Sequence, residues 1–206
     1  DRLKFQNAKK GLVSNDGRLK AFNIKVKALA PAVLNARTAT TPISIDGKLD
    51  EDPWRKAKSI KLLRIGGTQK SHQFTSIKAT YDDTNLYLGV LAKDSDVWSS
   101  FTARDSNTWE QEVIEVFIDA LGKKRDYLEL QVTPANVIFD ALFKRHRSDL
   151  SVARAWQMKG LLTAVHVDGT LNERDDIDRH YSIEMKIPID EVPGGRLGVK
   201  RGKWRI

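Results

Sequence analysis

The sequence predicts an all-β protein: an antiparallel β-sandwich of the jelly-roll or immunoglobulin-like kind, with little helix. Three observations carry this. Short runs alternate apolar and polar residues with a period of two. Turn signals rich in Asp, Asn, Gly and Pro separate them at short intervals. Little of the chain has the 3.6-residue period of an amphipathic helix. Roughly eight such runs fit a sandwich, and their clear alternation argues against a parallel sheet buried on both faces.

The elements follow in order. Residues 1–40 have mixed character, with an Asn15-Asp16-Gly17 turn signal, one alternating run over Ala21–Leu29, and a linker-like span rich in Ala, Thr and Pro from Ala30 to Thr41. From Pro42 the texture changes. Ile43-Ser44-Ile45 reads as a short strand, Asp46-Gly47 as a turn, and Pro53 as the first residue of a short helix that carries Trp54 into the core. Ser76–Tyr81 and Leu86–Ala92 form a hairpin around Asp82-Asp83-Thr84-Asn85. The run 113–119 sends Ile114, Val116 and Ile118 one way and Val113, Glu115, Phe117 and Asp119 the other. Tyr127–Thr133 sends Leu128, Leu130 and Val132 inward and Tyr127, Glu129 and Gln131 outward. Val137–Phe143, Leu161–Val167 and His180–Ile187 complete the set, and Lys203–Ile206 looks like a strand just beginning.

Composition bounds the function. The chain has 206 residues, 40% of them apolar, and no cysteine, which excludes disulfides and thiolate metal sites. No apolar run is long enough to span a bilayer, and the opening Asp-Arg-Leu-Lys-Phe shows neither signal peptide nor lipid-attachment cysteine. The net charge of +8 is uneven: residues 1–40 carry +7 and the remainder +1. A body so close to neutral is not a nucleic-acid-binding domain. The basic arm over residues 1–41 has three readings: a solvated tail, a strand that docks on another protein chain, or an extra edge strand.

The stretch Asn107–Asp119 is the most informative about chemistry. A polar loop presents Trp109, and the strand after it carries carboxylates on its non-core face. An aromatic beside a carboxylate on a half-buried strand is the pattern that stacks on a flat ligand or a sugar ring.

Four blocks then coincide with one family. Ile45-Asp46-Gly47-Lys48-Leu49-Asp50-Glu51 with Trp54, Ala79–Leu88, Trp109–Asp119, and Tyr127–Phe143 ending in Val137-Ile138-Phe139-Asp140-Ala141 resemble, in order, the family-nine carbohydrate-binding modules. The late Gly202-Lys203-Trp204-Arg205 also fits. The resemblance covers residues 42–206 and leaves 1–41 outside. It implies a β-sandwich that binds sugar chains, often at their ends, beside glycoside hydrolases outside the cytoplasm. It implies Trp109 as a stacking platform and Glu115 as an acceptor for sugar hydroxyls, with Gln131 and Thr133 completing the sugar-binding set. Better-described members carry arginine at the Gln131 position and asparagine at the Thr133 position, and close on the sugar with a second tryptophan near the C-terminus. On that comparison the end at Ile206 reads as a truncated module.

The alternatives belong to other classes. Relatives fused to envelope or respiratory proteins suggest a structural or interaction module that keeps the fold without sugar, and some similar sandwiches hold b-type haem. Met158, near Trp156 and Lys159, is the one axial-ligand candidate; Met185 alternates with core residues, and His72, His146, His166 and His180 show no ligand spacing. The family's structural calcium makes the loop carboxylates Asp46, Asp82, Asp83, Asp94 and Asp96 Ca²⁺ candidates, although none matches an EF-hand and their default reading is solvated turns. Glu110 and Glu112 are expected to point away from Glu115 on a regular strand, so no catalytic pair is assigned and the module is read as non-catalytic. Trp98 and Phe101 either extend the surface near Trp109 or cap the open end of the sandwich. The basic loops Lys123-Lys124-Arg125 and Lys144–Arg147 read as solvated turns, or as contacts for an acidic partner.

Overall fold

A computed structural model of the protein describes residues 12–13, 19–20, 33–63, 74–146, 148–200 and 202–206. The chain divides into two compact units, Asp1–Pro31 and Ala32–Ile206. In the first, strands β1 (Leu12–Val13) and β2 (Leu19–Lys20) pair antiparallel. The expected turn at 15–17 and strand at 21–29 lie outside the described residues, as do His72 and Arg147.

The second unit holds two sheets. Its strands are β3 (Arg37–Thr38), β4 (Ser59–Lys61), β5 (Thr75–Tyr81), β6 (Asn85–Ala92), β7 (Ile114–Ile118), β8 (Tyr127–Val132), β9 (Ile138–Phe143), β10 (Leu162–Asp168) and β11 (His180–Pro188). The larger sheet runs β10-β11-β6-β5-β3, with β4 also on β5; the smaller is β7-β8-β9. All pairs are antiparallel except β3 with β5, so residues 37–39 of the span read as a linker join the sheet edge.

The main core lies between the sheets. Leu88, Val90, Ile183, Met185 and Ile187 of the larger sheet meet Val116, Ile118, Leu128, Leu130 and Val132 of the smaller, all fully or almost fully buried. The inward residues of β7 and β8 are those that the alternation selects. Burial of so many branched side chains is the main stabilising term of the unit.

The larger sheet departs from simple alternation because its outer face is also covered. Tyr87, Ser182 and Glu184 are buried there under residues 43–57. Helix α1 (Asp52–Lys56) begins with Pro53 in its first turn and delivers Trp54, fully buried. Ile43, Ile45 and Leu49 pack beside it. The short strand expected at 43–45 does not form; its side chains lie on the sheet's face instead of extending an edge. The Glu184 carboxylate pins this segment, accepting from Trp54 Nε1 at 2.7 Å, Gly47 N at 2.8 Å and Asp46 N at 2.9 Å. Gly89 is the gap under the plug, where a Cβ would stand 2.7 Å from Leu49 Cδ2.

Helix α2 (Leu150–Arg154) covers part of the smaller sheet's outer face, packing Ala153 against Phe139, Ala141 and Phe143. Asp149 caps it by accepting from Ser151 N at 2.8 Å. Asp140 of β9, fully buried, accepts from Arg104 Nη2 and Met158 N, both at 2.5 Å, and so ties the loop before β7 and the loop after α2 to the sheet. Helix α3 (Gly195–Lys200) follows β11, and Arg205 closes an isolated bridge to Asp119 where a last strand was expected.

Candidate functional site

The outer face of the smaller sheet, beside α2, gathers the residues that the sequence singled out. The register places Glu115 of β7 opposite Gln131 of β8, and Gln131 opposite Phe139 of β9. A row of three side chains therefore crosses the sheet. Trp109 stands over the β9 end of that row, its ring edge-on to Phe139 with centroids 5.5 Å apart and planes at 85°. It is 38% exposed. An indole seated on another ring in this way keeps its orientation while still meeting solvent.

A short 3-10 turn, Thr108–Glu110, positions the tryptophan. Thr108 is fully buried, and its hydroxyl donates to Gln131 Oε1. Gln131 Nε2 donates onward to Glu129 Oε1 at 2.6 Å. One buried amide thus links the Trp109 turn to a second carboxylate on the same face. From α2, the Arg154 guanidinium carbon lies 5.6 Å from the Trp109 ring centre and 5.5 Å from that of Phe139. Arg154 Nη2 donates to Asn107 Oδ1 at 3.0 Å, and Asn107 Nδ2 to Glu110 Oε1 at 3.0 Å. Arg154 Nε is buried with no hydrogen-bond partner.

Glu115 is exposed, and partial desolvation raises its carboxyl above the usual range. Glu129 is raised by burial, against the pull of the Gln131 bond, and by repulsion from Glu115. The two lie on adjacent strands as diagonal neighbours, at a separation of about 7–8 Å. Both belong to the sheet face over which Trp109 stands.

The four residues expected at a sugar contact differ in exposure, Trp109 and Glu115 being open to solvent. Gln131 and Thr133 are both fully buried. Gln131 spends its amide on Thr108 and Glu129, and Thr133 accepts from Val137 N at 3.1 Å across the β8–β9 turn. Alternation names the face a side chain points to, and cannot show what then covers it. The residues missed are Glu129 and Arg154. Glu129 shares the outward parity of Tyr127 and Gln131, which was the signal for it. Arg154 lies in a five-residue helix with no periodic pattern to mark it.

The neighbourhood before β7 is also not a regular strand. Glu110 is exposed on the 3-10 turn, and Glu112 sits apart near Asp94, Asp96 and Arg174. Burial, with repulsion from Asp94 and Asp96, raises the Glu112 carboxyl to about 7. Gln111 ties to Ser100 in both directions, at 2.6 and 2.8 Å, so the loop carrying Trp98 and Phe101 is fastened to this stretch. Trp98 has Arg174 over its ring at 5.0 Å.

The calcium candidates do not form a cage. Asp46 accepts from Lys48 N, Asp82 from Thr84, Asn85 and Tyr87, and Asp94 from Asp96 N, each within its own turn. Asp96 pairs with Arg174 at 3.2 Å, and Arg196 bonds the Asp83 carbonyl. Among the described residues no group of three or more His, Asp or Glu is placed to hold a metal ion, whereas Ca²⁺ takes 6–8 oxygens. Met158 and Met185 are packed in the main core, and Lys159 is exposed. This does not fit an axial pair for haem.

A profile of the carbohydrate family 9 binding domain-like family matches residues 45–201. Endo-1,4-beta-xylanase A of Thermotoga neapolitana is 28% identical over 117 residues, and that of Thermotoga maritima 30% over 90. The matches span 56% and 43% of this chain, but 10% and 8% of the xylanases. A crystal structure of a Bacteroides uniformis protein assigned to carbohydrate binding superposes with a TM-score of 0.58 at 14% identity, over 76% of this chain and 72% of the other. A family 9 module from Caldicellulosiruptor kristjanssonii, solved with glucose, gives 0.51 at 17%, covering 76% and 70%. The same module solved with cellotriose gives 0.50 at 18%, covering 77% and 69%. These likenesses agree with the sandwich in fold, and the profile match over most of the second unit decides the family: the chain belongs to the carbohydrate family 9 binding domain-like proteins.

Proposed function

We propose that this protein is a non-catalytic carbohydrate-binding module of an extracytoplasmic protein, joined to a glycoside hydrolase or another larger partner. Sugar stacks on Trp109 and donates hydroxyl hydrogen bonds to Glu115 and Glu129. The observation that carries this reading is the half-exposed Trp109 ring, braced by Phe139 and Arg154, beside a sheet face that displays two carboxylates. The C–H face of a pyranose is apolar and its rim is hydroxylated, which suits a ring bordered by acceptors. Family membership supports the ligand class. The glucose and cellotriose held by the Caldicellulosiruptor module, and the xylan-degrading enzymes that contain matching segments, suggest β-linked glucose or xylose chains.

Gln131 and Thr133 act in this proposal as supports. Gln131 sets the angle of Glu129 and of the Trp109 turn, and Thr133 fixes the turn that aligns β8 with β9. Calorimetry with glucose, cellotriose and xylotriose tests the site. Binding is expected for the wild type and lost in Trp109→Ala; heats unchanged by that substitution would overturn the assignment.

The second reading is an interaction module. It is supported by the basic arm, +7 over residues 1–40, which suits an anionic protein surface. It expects an oligomer or partner that disappears when residues 1–41 are deleted; sedimentation showing the same monomer for both forms would remove it.

A further inference from the structure

The outer face of the smaller sheet continues past Glu115. Two residues along β7 stands Phe117, 45% exposed. Its cross-strand partner is Glu129. Its ring centre lies 6.4 Å from that of Tyr127, with the planes at 46°. Tyr127 stacks on Phe143 at 5.3 Å and 12°, and Phe143 is buried against Ala153 of α2. Phe117 is thus an open ring backed by a chain of rings anchored in the fold, as Trp109 is backed by Phe139.

A single exposed phenylalanine is ordinary on a protein surface. The surroundings distinguish this one. Glu115 lies two residues before it on the same strand, about 7 Å away at ~3.4 Å per residue. Glu129 lies directly opposite. The combination at Trp109, an aromatic ring bordered by fixed carboxylate acceptors, therefore occurs twice on one face. Gln131 takes Glu129 Oε1, and the other oxygen remains for a ligand hydroxyl. From Trp109 over β9 to Phe117 on β7 the face runs diagonally across all three strands, a span of about 12 Å from two strand spacings of 4.7–4.9 Å and two residues along β7. That is longer than one pyranose ring. Two carboxylates in the middle repel a sugar acid, so the occupant is uncharged.

We infer that Phe117, backed by Tyr127, is a second stacking position, and that the face takes a chain of linked neutral sugar rings laid from Trp109 past Glu115 and Glu129 to Phe117. This rests on the reading of Trp109 and Glu115 as the sugar site, with which the Phe117 surface is continuous.

The experiment is a calorimetric comparison of two probe pairs, glucose with cellotriose and xylose with xylotriose, against wild type, Phe117→Ala, Phe117→Trp and Trp109→Ala. Thermal melts confirm folding, and the exposure of Phe117 makes its replacement safe. Wild type is expected to prefer one trisaccharide over its monosaccharide by about five- to tenfold or more. Phe117→Ala should erase most of that ratio and leave monosaccharide affinity unchanged, while Phe117→Trp keeps or enlarges it. A wild type without trisaccharide preference, or a Phe117→Ala protein that keeps the ratio or weakens both probes equally, would overturn the inference while leaving the Trp109 site in place. Unchanged binding in Trp109→Ala, or none in wild type at millimolar sugar, would instead overturn the proposed site, and this extension with it.

Discussion

The Arg154 guanidinium carbon stands 5.6 Å from the centre of the Trp109 ring and 5.5 Å from that of Phe139, so one cation braces two perpendicular rings. It comes from α2, far along the chain from the Trp109 turn, and reaches back to Asn107 Oδ1. The orientation of the platform therefore depends on a helix that itself carries none of the carboxylates.

Replacing Arg154 with alanine is expected to free the indole. Cation–π contacts at half-exposed sites contribute about 0.5–1 kcal/mol each, so the fold should lose no more than about 2 kcal/mol while sugar affinity falls several-fold. Tryptophan fluorescence of the free protein should shift to the red, because the ring becomes more hydrated. Arg154→Lys keeps the charge but not the planar fork, and should recover only part of the affinity. Equal affinity in all three proteins would remove Arg154 from the site.

Thr108 tests the buried link. Its hydroxyl is the donor to Gln131 Oε1, and both side chains are sealed from water. Thr108→Val keeps the shape and leaves the amide oxygen unpaired, at a cost of about 1–3 kcal/mol in denaturant unfolding. Gln131→Leu takes the acceptor from the buried Thr108 hydroxyl and the 2.6 Å Nε2 donor from Glu129. That variant should also lose stability, and should bind sugar less well than Thr108→Val, which keeps the Gln131–Glu129 bond. The opposite ranking would show that Gln131 does not position Glu129.

The two carboxylates set the pH dependence of binding. Burial raises both Glu115 and Glu129 in the free protein, and Glu115 raises Glu129 further. The ionised forms are the hydroxyl acceptors. Sugar affinity should be constant at neutral pH and weaken as pH falls, with the decline starting above the ordinary glutamate range near 4.5. Glu115→Gln keeps a neutral acceptor, so its affinity should be lower at pH 7 and its pH profile flatter. A wild-type profile that is flat down to pH 4 would exclude both residues from the contact.

Much of the fold was legible because β7 and β8 are covered on one face and open on the other. The inward residues Val116, Ile118, Leu128, Leu130 and Val132 follow from a period of two, and Trp54 announces itself as a plug. Alternation lost its meaning wherever a strand is covered twice. Ser182 and Glu184 carry the parity of solvent-facing residues and are buried, because residues 43–57 lie over them. The same limit applies to Gln131, which has outward parity and is fully buried. Trp109 and Glu115 were legible as an aromatic beside a carboxylate, whereas Arg154 comes from an aperiodic stretch and is placed only by tertiary packing.

Glu112 and Glu184 make opposite predictions from the same shift. Burial is the first cause in both, and both carboxyls rise to about 7. The unfolded chain titrates near 4.5, so between about pH 4.5 and 7 the folded state binds more protons than the unfolded one. Each group's stabilising contribution is complete below pH 4.5 and is lost as pH rises through 7. Glu112 has little to offset that loss: one long bond from Trp98 N at 3.4 Å and the more distant Arg174 charge, against Asp94 and Asp96 nearby. Glu112→Gln should therefore leave the melting temperature unchanged at pH 4.5 and raise it at pH 8. The gain is of the order of 1 kcal/mol, discounted for solvent screening of a half-buried group. Glu184 differs because both its oxygens accept, one from Trp54 Nε1 and the other from Asp46 N and Gly47 N. An amide turns its NH₂ toward one of those donors, leaving it unpaired in the interior at about 1–3 kcal/mol. Glu184→Gln should accordingly destabilise the protein at pH 8, where the wild-type carboxylate accepts all three donors, and change it little at pH 4.5, where the protonated carboxyl already turns a hydroxyl toward one of them. If instead it matched Glu112→Gln and stabilised the protein at pH 8, the three donors would not be holding the 43–57 segment in place, and the plug would have to be attributed to Trp54 packing alone.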